Sequence, residues 1–404
     1  MHFNADLHIH SKFSGATSKN MELRILSTQA KKKGINILGT GDCLHPLWLS
    51  EIREHAEGDE ITINSISFIL TVEVEDASRV HHLILFPSFS KVEEVKEKLR
   101  RYSNDIEKDG RPRVNLSGEE LAEIILSADS LIGPSHAFTP WTSLYASFNS
   151  LKECYGEMSD RIPFVELGLS ADSNYADRIS ELHPKTFLTN SDAHSPWPVR
   201  LAREFNRFEM QDATFDELKM AILRERGRKP VLNVGIPPEE GKYNETACTR
   251  CYTHYSLQDA RALKFRCEKC GGIIKKGVKD RVEELADLKE PVHPDHRPPY
   301  LHLIPLAEII ALAYRQSSPY TSKVQKIWEE LVRDIGDEVR ILVDVELDEI
   351  KDEKVREAIR AFRERRIKLK PGGGGKYGEL LLFEDEDEGE SRKAKTPQRY
   401  LYDF

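Results

Sequence analysis

The sequence predicts an α/β domain, followed by a small four-cysteine module and a helical region. From residue 1 to about 230, short apolar runs alternate with amphipathic helical segments. Repeated βα units imply a mostly parallel sheet, either doubly wound or closed as a barrel. Two C-x-x-C pairs then stand in a basic segment, and helical periodicity dominates from about Leu301. A chain of 404 residues is too long for one ordinary core, so several domains are expected.

The boundaries of these elements follow from the apolar periodicity. Polar and apolar residues alternate over Asn4–Ile9, which predicts a short first strand. Further strands are expected at Ile35–Leu38, Ile66–Val72, His82–Phe86, Leu131–Ile132, Phe164–Leu167 and Thr186–Thr189. Helices are expected at Met21–Lys33, Val92–Tyr102, Gly118–Ser127 and Phe215–Glu225, and later at Pro305–Arg315, Ser322–Arg333 and Lys354–Arg366.

The composition favours a soluble intracellular protein. Hydrophobic residues make up 39% of the chain and charged residues 31%, with a net charge of −9. No apolar run approaches the roughly 18–20 residues that cross a bilayer, and no basic segment followed by an apolar one stands at the N-terminus. A charge of −9 argues against a uniform coat of nucleic acid, although the charge is locally uneven.

His8 and His10 form the first candidate metal-binding pair. Residues i and i+2 of a strand point to the same side, so the two imidazoles lie side by side. Neutral imidazoles in this arrangement can bind one metal ion at about 2.0–2.1 Å. The alternative is a pair of half-buried histidines at the end of a strand, because a lone H-x-H is a short motif.

Potential metal ligands also recur beside the later strands. In α/β folds the chemistry lies just past the carboxyl ends of the strands. The candidates are Asp42 and His45, Glu73, the neighbouring His81 and His82, His136, and the pair Asp192 and His194. A recurrence at five separate places favours one polynuclear metal centre over chance.

These motifs resemble the PHP (polymerase and histidinol phosphatase) superfamily, whose members have distorted (β/α)7 barrels with up to three metals. The resemblance implies that His8, His10, Glu73 and Asp192 form the catalytic group and hold one metal. It further implies that Glu73, His82 and His136 hold a second metal, and that Asp42 and His194 contribute to a third. His81 in place of His82, and His45 as a substitute ligand, are alternatives.

The chain departs from the family after the H-x-H motif. The family often has an Asp or His there, whereas this chain has Phe13-Ser14-Gly15-Ala16. The mixed set of histidines and carboxylates suits Zn²⁺, Mn²⁺ or Fe²⁺ better than Mg²⁺ alone. We expect two or three Zn²⁺ ions, with Mn²⁺ or Mg²⁺ as alternatives for activity. Paired metals bind phosphoester oxygens and generate hydroxide near neutral pH, so phosphoester hydrolysis is the expected reaction.

Four cysteines predict a structural zinc site in residues 242–281. Two C-x-x-C pairs with this spacing are typical of a zinc ribbon, and the ligands would be Cys248, Cys251, Cys267 and Cys270. A redox dithiol is the alternative. Ten Lys or Arg residues stand against four acidic residues between Lys242 and Arg281, with aromatic residues interleaved. This mixture favours nucleic-acid contact over a merely solvated surface.

Residues 300–378 predict a helical DNA-binding domain with a glycine-rich loop. Nine Lys or Arg residues stand between Lys354 and Lys376, with only Glu357 and Glu364 as acids. A glycine run is usually a linker, but between basic residues its N–H groups could approach phosphates closely. The expected DNA-binding residues are Arg363, Arg366, Lys370, Gly372, Gly373, Gly374, Gly375, Lys376 and Tyr377.

The tail, residues 379–404, is acidic and ends in a candidate docking peptide. Gln398, Leu401 and Phe404 resemble the peptide that binds the sliding clamp PCNA, with the second aromatic residue missing. A short helical turn would place Leu401 and Phe404 on one face, where they would fill an apolar pocket. A tail without such a partner is the alternative.

The order and content of these modules resemble the endonuclease Q family across essentially the full length. The resemblance implies metal-dependent hydrolysis of the DNA phosphodiester 5′ to deaminated bases (uracil, hypoxanthine, xanthine) and abasic sites, giving 3′-hydroxyl and 5′-phosphate ends. Damaged DNA would be the partner, and we expect a monomer in the cytoplasm, associated with the nucleoid. The alternative is a PHP-family phosphatase or exonuclease, and a non-catalytic DNA-binding module is a third hypothesis.

To test a base chemically, such an enzyme must take it out of the stack. Deaminated bases carry a carbonyl in place of an amino group, so the pocket needs a hydrogen-bond donor. A backbone N–H group, Ser170 or Asn190 could supply it. Aromatic residues in loops near the metal ligands could stack on the flipped base, although packing in the core is the alternative for each. They are Phe13, Trp141, Tyr145 and Tyr175.

Overall fold

The computed structural model describes residues 1–382. Its strands are β1 (His2–Asp6), β2 (Ile37–Gly39), β3 (Ala56–Glu57), β4 (Glu60–Ile63), β5 (Ile66–Glu75), β6 (His81–Phe86), β7 (Leu131–Pro134), β8 (Phe164–Glu166), β9 (Thr186–Leu188), β10 (Phe205–Glu209), β11 (Lys229–Gly235), β12 (Ala247–Cys248), β13 (Ile274–Lys275), β14 (Tyr300–His302), β15 (Lys368–Lys370) and β16 (Glu379–Leu381).

Its helices are α1 (Leu23–Lys33), α2 (Pro46–Arg53), α3 (Phe89–Leu99), α4 (Gly118–Ser127), α5 (Leu144–Ser147), α6 (Leu151–Tyr155), α7 (Ser173–Ala176), α8 (Phe215–Leu223), α9 (Leu257–Ala262), α10 (Val278–Leu285), α11 (Leu306–Ala313), α12 (Ser322–Ile335) and α13 (Glu353–Arg363). Within these 382 residues, every helix is too short or too polar to span a membrane.

The strands of the N-terminal region form a distorted barrel, as predicted, but the sheet is mixed and not mostly parallel. β1 pairs in parallel with β2, and β2 pairs in parallel with β5. β5, β6 and β7 are antiparallel neighbours, and β10 runs antiparallel to β1. A tight hairpin joins β5 to β6 in place of a helical crossover, so the strand direction reverses there.

Loop contacts bring β8 and β9 into the ring. β8 and β9 are a parallel pair. The N–H of Ala137, after β7, donates to the carbonyl of Glu166 in β8 at 2.8 Å. The N–H of His10 donates to the carbonyl of Ala193, after β9, at 3.0 Å. The ends of β7, β8, β9 and β1 therefore meet at one mouth of the barrel.

An apolar cluster fills the inside of this ring. Its members include Leu7, Ile37, Ile69, Leu83 and Phe164, all buried and each from a different strand or its immediate end. Side chains from so many strands can touch one another only across the barrel interior. α8 contributes Phe215 and Leu218 to the same cluster, so this helix packs against one end of the interior. The other end, the mouth, carries the polar residues described below.

The C-terminal region is attached to the barrel by a strand and by a buried ion pair. β14 pairs in parallel with β11 at the edge of the main sheet. Lys33 Nζ, in α1, lies 2.7 Å from Glu338 Oε1 and 2.7 Å from the carbonyl oxygen of Pro198. Glu338 Oε2 accepts a hydrogen bond from Trp328 Nε1 at 2.7 Å. Because both charged groups are buried and bonded, this contact fixes α12 against α1. The division at 1–230, 242–281 and 300–378 stays a prediction.

Candidate metal centre

His8 and His10 face Glu73 at the mouth of the barrel. Both histidines follow β1 and are buried. His8 Nε2 lies 3.5 Å from Glu73 Oε1, and His10 Nε2 lies 3.5 Å from Glu73 Oε2. The predicted side-by-side arrangement is therefore present, and the carboxylate of Glu73 lies between the two rings. These three groups are close enough to bind one ion.

Glu73 also contacts a second pair of histidines, His81 and His136. Its Oε1 lies 3.0 Å from His81 Nδ1 and 2.9 Å from His136 Nε2. The two histidine nitrogens are 3.3 Å apart. The three side chains form a second group that could hold a metal ion, with Glu73 shared between the two groups.

His82 lies elsewhere, which corrects its placement among the ligands. Its Nε2 lies 3.2 Å from Asp76 Oδ2, and its Nδ1 lies 2.7 Å from the hydroxyl of Tyr155. The cause is the register of the β5–β6 hairpin, in which Glu75 pairs with His81 and Val74 pairs with His82. Since alternate residues of a strand face opposite sides, His81 shares the side of Glu73 and His82 faces away from it.

Asp192 and His194 complete the cluster on the side of His10. Asp192 Oδ1 lies 3.1 Å from His10 Nε2 and 3.7 Å from His8 Nε2. The ring of His194 lies 4.5 Å from that of His10, and its Nδ1 is 2.9 Å from the backbone carbonyl of Asp192. His10, Asp192 and His194 form a third group that could hold an ion.

Asp42 orients His10 and belongs to none of the groups close enough to share an ion among residues 1–382, so the structure does not support its assignment as a metal ligand. Its Oδ1 lies 3.1 Å from His10 Nδ1. Its Oδ2 accepts from the N–H and hydroxyl of Ser11 and from the hydroxyl of Ser14. A carboxylate bonded to Nδ1 directs Nε2 of the ring toward a metal. His45, the alternative ligand, begins α2, where it accepts from the N–H of Trp48.

Sequence reasoning missed Glu166, which holds His8 in the same way. Both of its oxygens lie 3.0 Å from His8 Nδ1. They also accept from the N–H of His136 and from Nδ2 of Asn190. Glu166 is the last residue of β8 and is fully buried. A carboxylate at the carboxyl end of a predicted apolar strand is the signal that could have revealed it.

Three of these residues adopt a left-handed backbone conformation that is rare outside glycine. The φ angles are 52° at Asp42, 29° at His136 and 48° at Asp192. Such conformations cost energy and concentrate at functional sites. The loop of Asp192 is held by Asp6, whose carboxylate accepts from the N–H and hydroxyl of Ser191 at 3.0 and 2.5 Å.

Burial and mutual contacts shift the pKa values of the carboxylates and histidines in the cluster. Burial alone would raise the pKa of Glu73, but the surrounding histidines hold it well below its usual range. Burial alone would lower the pKa of His10, but its contacts with Asp192 and Asp42 raise it to about 9. The buried carboxylates thus stay ionised and attract cations. Burial and repulsion from His10 lower the pKa of His194 to about 4.

The unpaired polar atoms of the cluster fit metal ions. Within residues 1–382, His8 Nε2, His10 Nε2 and Asp192 Oδ1 are buried and lack a hydrogen bond of regular geometry. They face one another, with Asp192 Oδ1 3.1 Å from His10 Nε2 and 3.7 Å from His8 Nε2. Buried polar atoms without partners are costly and rare in folded proteins. Metal coordination would use the lone pairs of all three atoms, since both histidine nitrogens face Glu73 and Asp192 Oδ1 faces both rings.

The four cysteines of the ribbon also come together. Cys248 Sγ lies 3.5 Å from Cys270 Sγ, and Cys251 Sγ lies 3.5 Å from Cys267 Sγ. All four sulfurs lie within 4.8 Å of one another, and all four thiols are free of disulfides. Four sulfurs at this spacing suit one tetrahedral Zn²⁺ ion with no open position.

The glycine run packs against the start of the ribbon, which contradicts its role as a phosphate cradle. The N–H groups of Gly372, Gly373 and Gly375 donate to the carbonyls of Glu239, Lys376 and Lys242. Gly374 has a φ of 63°, and a Cβ there would lie 2.3 Å from the carbonyl oxygen of Cys248. These glycines therefore allow two backbone segments to pack closely.

The basic residues around the run have different environments. Arg363 donates to the carbonyls of Ile341, Leu342 and Val345 and so caps the π-helical turn Arg340–Asp344, which does not support its predicted role in DNA binding. Lys370, Lys376 and Arg366 are exposed. The clamp peptide, Gln398, Leu401 and Phe404, lies outside the described residues.

A cleft adjoins the metal cluster and brings together three of the predicted pocket residues, Trp141, Ser170 and Asn190. It contains about 700 Å³ of space, part of it open to solvent. Its lining residues are His136, Thr139, Pro140, Trp141, Glu166, Gly168, Leu169, Ser170, Asn190, Asp192, Ile236, Gly241, Lys242, Tyr243 and Tyr377. The barrel, the linker to the ribbon and the end of the glycine run therefore all contribute to it.

The other predicted pocket residues lie outside this cleft. Tyr145 is buried in the core and bonds to Glu181. The Tyr175 hydroxyl accepts from Asn244, and Phe13 stacks on His45 with centroids 4.3 Å apart. Asn190 lines the cleft. Its Nδ2 donates to Glu166, and its Oδ1 accepts from Leu7 and Asn206, so it also supports the strands.

Comparisons with known proteins reveal relatives of parts of the chain and one relative that matches nearly all of it. A family model, the MJ0043 C-terminal domain, matches residues 305–366. The uncharacterized protein MJ0043 of Methanocaldococcus jannaschii is 47% identical over 273 residues, covering 66% of this chain. The chain spans about a third (34%) of the length of that relative. The uncharacterized protein YqxK of Bacillus subtilis is 31% identical over 404 residues, covering 93% of this chain and 98% of YqxK.

Two solved structures share the architecture over nearly their full length. The lesion-specific endonuclease PfuEndoQ from Pyrococcus furiosus has a TM-score of 0.92 and 51% identity, covering 95% of this chain and 96% of that one. Endonuclease Q in complex with a 27-mer duplex substrate, with an abasic lesion at the active site, has a TM-score of 0.91 and 49% identity, covering 97% and 99%. A likeness of this extent, with about half of the residues identical, shows that the chain belongs to the endonuclease Q family.

Proposed function

We propose that this chain is a metal-dependent, lesion-specific DNA endonuclease. It cleaves the phosphodiester 5′ to deaminated bases (uracil, hypoxanthine, xanthine) and abasic sites, and leaves 3′-hydroxyl and 5′-phosphate ends. The main supporting observation is that His136 and Asp192 belong to the metal cluster and also line the adjoining cleft. A flipped nucleotide in this cleft would bring its 5′ phosphate to the metal ligands. The family relationship supports the same substrate class.

The structure suggests which residues hold the metals. His8, His10, Glu73 and Asp192 would hold one ion, and Glu73, His81 and His136 a second. His194, beside His10 and Asp192, is the candidate for a third. Zn²⁺ suits this mixed set, with Mn²⁺ or Mg²⁺ as alternatives for activity. When bound, such ions polarise the phosphate oxygens and lower the pKa of a coordinated water.

The protein's own groups fix the orientation of these ligands. Glu166 and Asp42 bond to the Nδ1 atoms of His8 and His10, so that both Nε2 atoms are available as ligands. The left-handed backbone at Asp192, held through Asp6 and Ser191, places this carboxylate beside both rings. Groups fixed in this way lose little entropy when substrate binds.

The cleft offers hydrogen-bond donors for a base carbonyl. Gly168, Leu169 and Ser170 line it, and their N–H groups make no hydrogen bond to other residues in the described part of the chain. The carbonyl that replaces the amino group in uracil or hypoxanthine could accept from these groups, whereas an amino group could not. An abasic site lacks this contact, so the donors would govern the preference among lesions.

Aromatic and basic side chains at the cleft entrance provide a surface for DNA. Trp141 lies edge-on to Tyr243, with centroids 5.6 Å apart, and Lys275 Nζ lies 3.4 Å from the Trp141 ring centroid. Lys242 lies near the rings of both Tyr243 and Tyr377. Stacked bases and phosphates can both be bound by such a surface. Lys370, Lys376 and Arg366 are exposed cations that pair with Glu379 and Glu364 and could exchange these partners for DNA phosphates. A sliding clamp is a further proposed partner.

The test is incision of labelled duplexes that carry one uracil, hypoxanthine or abasic site, with Mg²⁺, Mn²⁺ or Zn²⁺. Asp192→Asn should abolish incision and retain DNA binding, while the exposed Asp348→Asn should behave as the wild type. A circular duplex with one internal uracil separates the alternatives. Nicking of the circle supports the endonuclease, whereas cleavage of linear DNA from its ends only, or of small phosphoesters only, would favour an exonuclease or phosphatase. Undiminished activity of Asp192→Asn would overturn the metal-dependent mechanism.

A further inference from the structure

One cation, Arg111, reaches the metal cluster from a loop between α3 and α4. Its Nη1 lies 3.4 Å from Glu73 Oε2, and about a third (32%) of its side chain is exposed. Partial burial alone would lower the pKa of Arg111, but attraction to Glu73 and Asp192 raises it. The guanidinium therefore lies at the rim of the cluster, between the shared carboxylate and solvent.

The loop that carries Arg111 is held tightly in place. The N–H of Arg111 donates to Asp109 Oδ1 at 3.0 Å, and the N–H of Gly110 donates to the carbonyl of Phe13 at 3.1 Å. A Cβ at Gly110 would lie 2.4 Å from Asp42 Oδ2, so this position needs glycine. On the far side, the carbonyl of Pro112 accepts from the N–H of Glu75. The backbone on both sides of Arg111 is thus anchored to the frame of the metal ligands.

The contact with Glu73 leaves most of the guanidinium available. Only Nη1 approaches Glu73, at a longer distance than the contacts of Glu73 with His81 and His136. A guanidinium has five N–H donors in a planar fork that matches two oxygens of a phosphate. If Arg111 served only to neutralise Glu73, a shorter bidentate contact between the guanidinium and the carboxylate would be expected.

We propose that Arg111 binds a non-bridging oxygen of the scissile phosphodiester and stabilises the negative charge that develops during hydrolysis. This inference rests on the proposed function. Hydrolysis forms a bond between a water oxygen and phosphorus and breaks the bond from phosphorus to the 3′ oxygen. One proton of the water goes to the 3′ oxygen, giving the 3′-hydroxyl, and the other stays on the 5′ phosphate or ionises to solvent. The charge on the non-bridging oxygens rises during the displacement, and a preplaced cation lowers its energy.

The test compares Arg111→Ala and Arg111→Lys with the wild type in single-turnover incision of an abasic duplex. Lys108→Ala, which removes an exposed cation from the same loop, is the matched control. Loss of one preorganised donor typically slows catalysis by roughly 10²–10³-fold. We expect Arg111→Ala to slow incision by a factor in this range. Arg111→Lys should retain part of the rate, and Lys108→Ala should match the wild type. Guanidinium ion added to Arg111→Ala should restore part of the rate.

Two further readouts separate this role from a structural one. Metal content per chain and the dissociation constant for the duplex in EDTA should stay near the wild-type values in Arg111→Ala. A fall in metal content parallel to the rate would show that Arg111 only balances Glu73, and an unchanged rate would also overturn the inference. If the wild-type protein failed to nick DNA, the proposed function would be wrong. The same variants would then be compared on bis(p-nitrophenyl) phosphate, where equal rates would overturn the role of Arg111.

Discussion

Glu166 holds His8 through its outer nitrogen: both carboxylate oxygens lie 3.0 Å from His8 Nδ1. The inner nitrogen, Nε2, lies 3.5 Å from Glu73 and 3.7 Å from Asp192. The same carboxylate accepts the N–H of His136, which belongs to the second group of ligands. Glu166 therefore couples the position of one candidate ligand to the backbone of another.

Replacing Glu166 with Gln should weaken metal binding without unfolding the barrel. The amide keeps the shape, and its oxygen can still accept from His136, but its NH2 group cannot accept from Asn190. The charge that favours the Nδ1–H form of His8 is also lost. Loss of such an outer partner typically costs roughly 10–100-fold in metal affinity or activity. Metal titration followed by incision kinetics checks this result. Glu157→Gln, at an exposed ion pair with Lys152, is the control and should leave both quantities unchanged.

His81 and His82 should respond differently to the same substitution. His81→Asn should abolish or strongly reduce incision and lower the metal content, because His81 contacts Glu73 and His136. His82→Asn should mainly lower the thermal stability, by about 1–3 kcal/mol, because Asp76 and Tyr155 lose a buried hydrogen-bond partner. Measuring the metal content and the thermal stability of both variants tests this difference. A stable, inactive His82→Asn with reduced metal content would contradict this assignment.

The types of the candidate ligands and their positions along the chain could be predicted from the sequence. Which side chains face the metal site, and which support the ligands from behind, could not. A strand pattern places His8 and His10 on one side because the period is two residues. It could not choose between the neighbours His81 and His82, because that choice depends on the antiparallel register with β5. The reversal of direction at this hairpin is one reason why the sheet is mixed, and the antiparallel pairing of β10 with β1 is another.

Tertiary contacts decided the roles of Asp42 and Glu166. Both stand at carboxyl ends of strands or just beyond, where the sequence predicts chemistry. Whether such a carboxylate faces the shared space or bonds to the far side of a histidine depends on ångström-scale packing between loops. The prediction of a phosphate-binding role for the glycine run failed for a related reason. The N–H groups of Gly372 and Gly375 pair with Glu239 and Lys242, more than a hundred residues earlier in the chain.

Gly374 and Lys376 should separate the structural and DNA-binding roles of the glycine run. Gly374→Ala adds a Cβ against the carbonyl of Cys248 at a φ of 63°, so we expect a loss of stability of at least about 1–2 kcal/mol. Lys376→Ala removes an exposed cation and should weaken DNA binding while unfolding stays unchanged. Thermal unfolding and fluorescence anisotropy with a labelled abasic duplex measure the two effects. Equal stability of Gly374→Ala and the wild type would show that this contact is unimportant.

Glu204 should make the barrel less stable as the pH rises. This side chain is fully buried in front of β10, where its Oε1 accepts from the N–H of Ile236 at 2.9 Å. Burial raises the pKa of Glu204 to about 8, and the nearby carboxylates Glu166 and Asp6 add to the shift. Between the unfolded value, about 4.3, and 8, the folded state holds a proton that the unfolded state has released. The free energy of unfolding then falls by about 1.4 kcal/mol for each pH unit in this window.

Glu204→Gln removes this titration and keeps an acceptor for Ile236. The difference in unfolding free energy between the wild type and this variant should change with pH between about 5 and 8, in favour of the variant as the pH rises, and level off above 8. Asp6, whose pKa burial raises to about 6, titrates in both proteins, so the difference isolates Glu204 together with its coupling to Asp6. Denaturant unfolding at a series of pH values gives the slopes. Glu209→Gln, at a partly exposed position of β10, is the control. Its unfolding free energy should change with pH in parallel with that of the wild type. A wild-type curve parallel to that of Glu204→Gln across the window would mean that Glu204 is ionised in the folded protein.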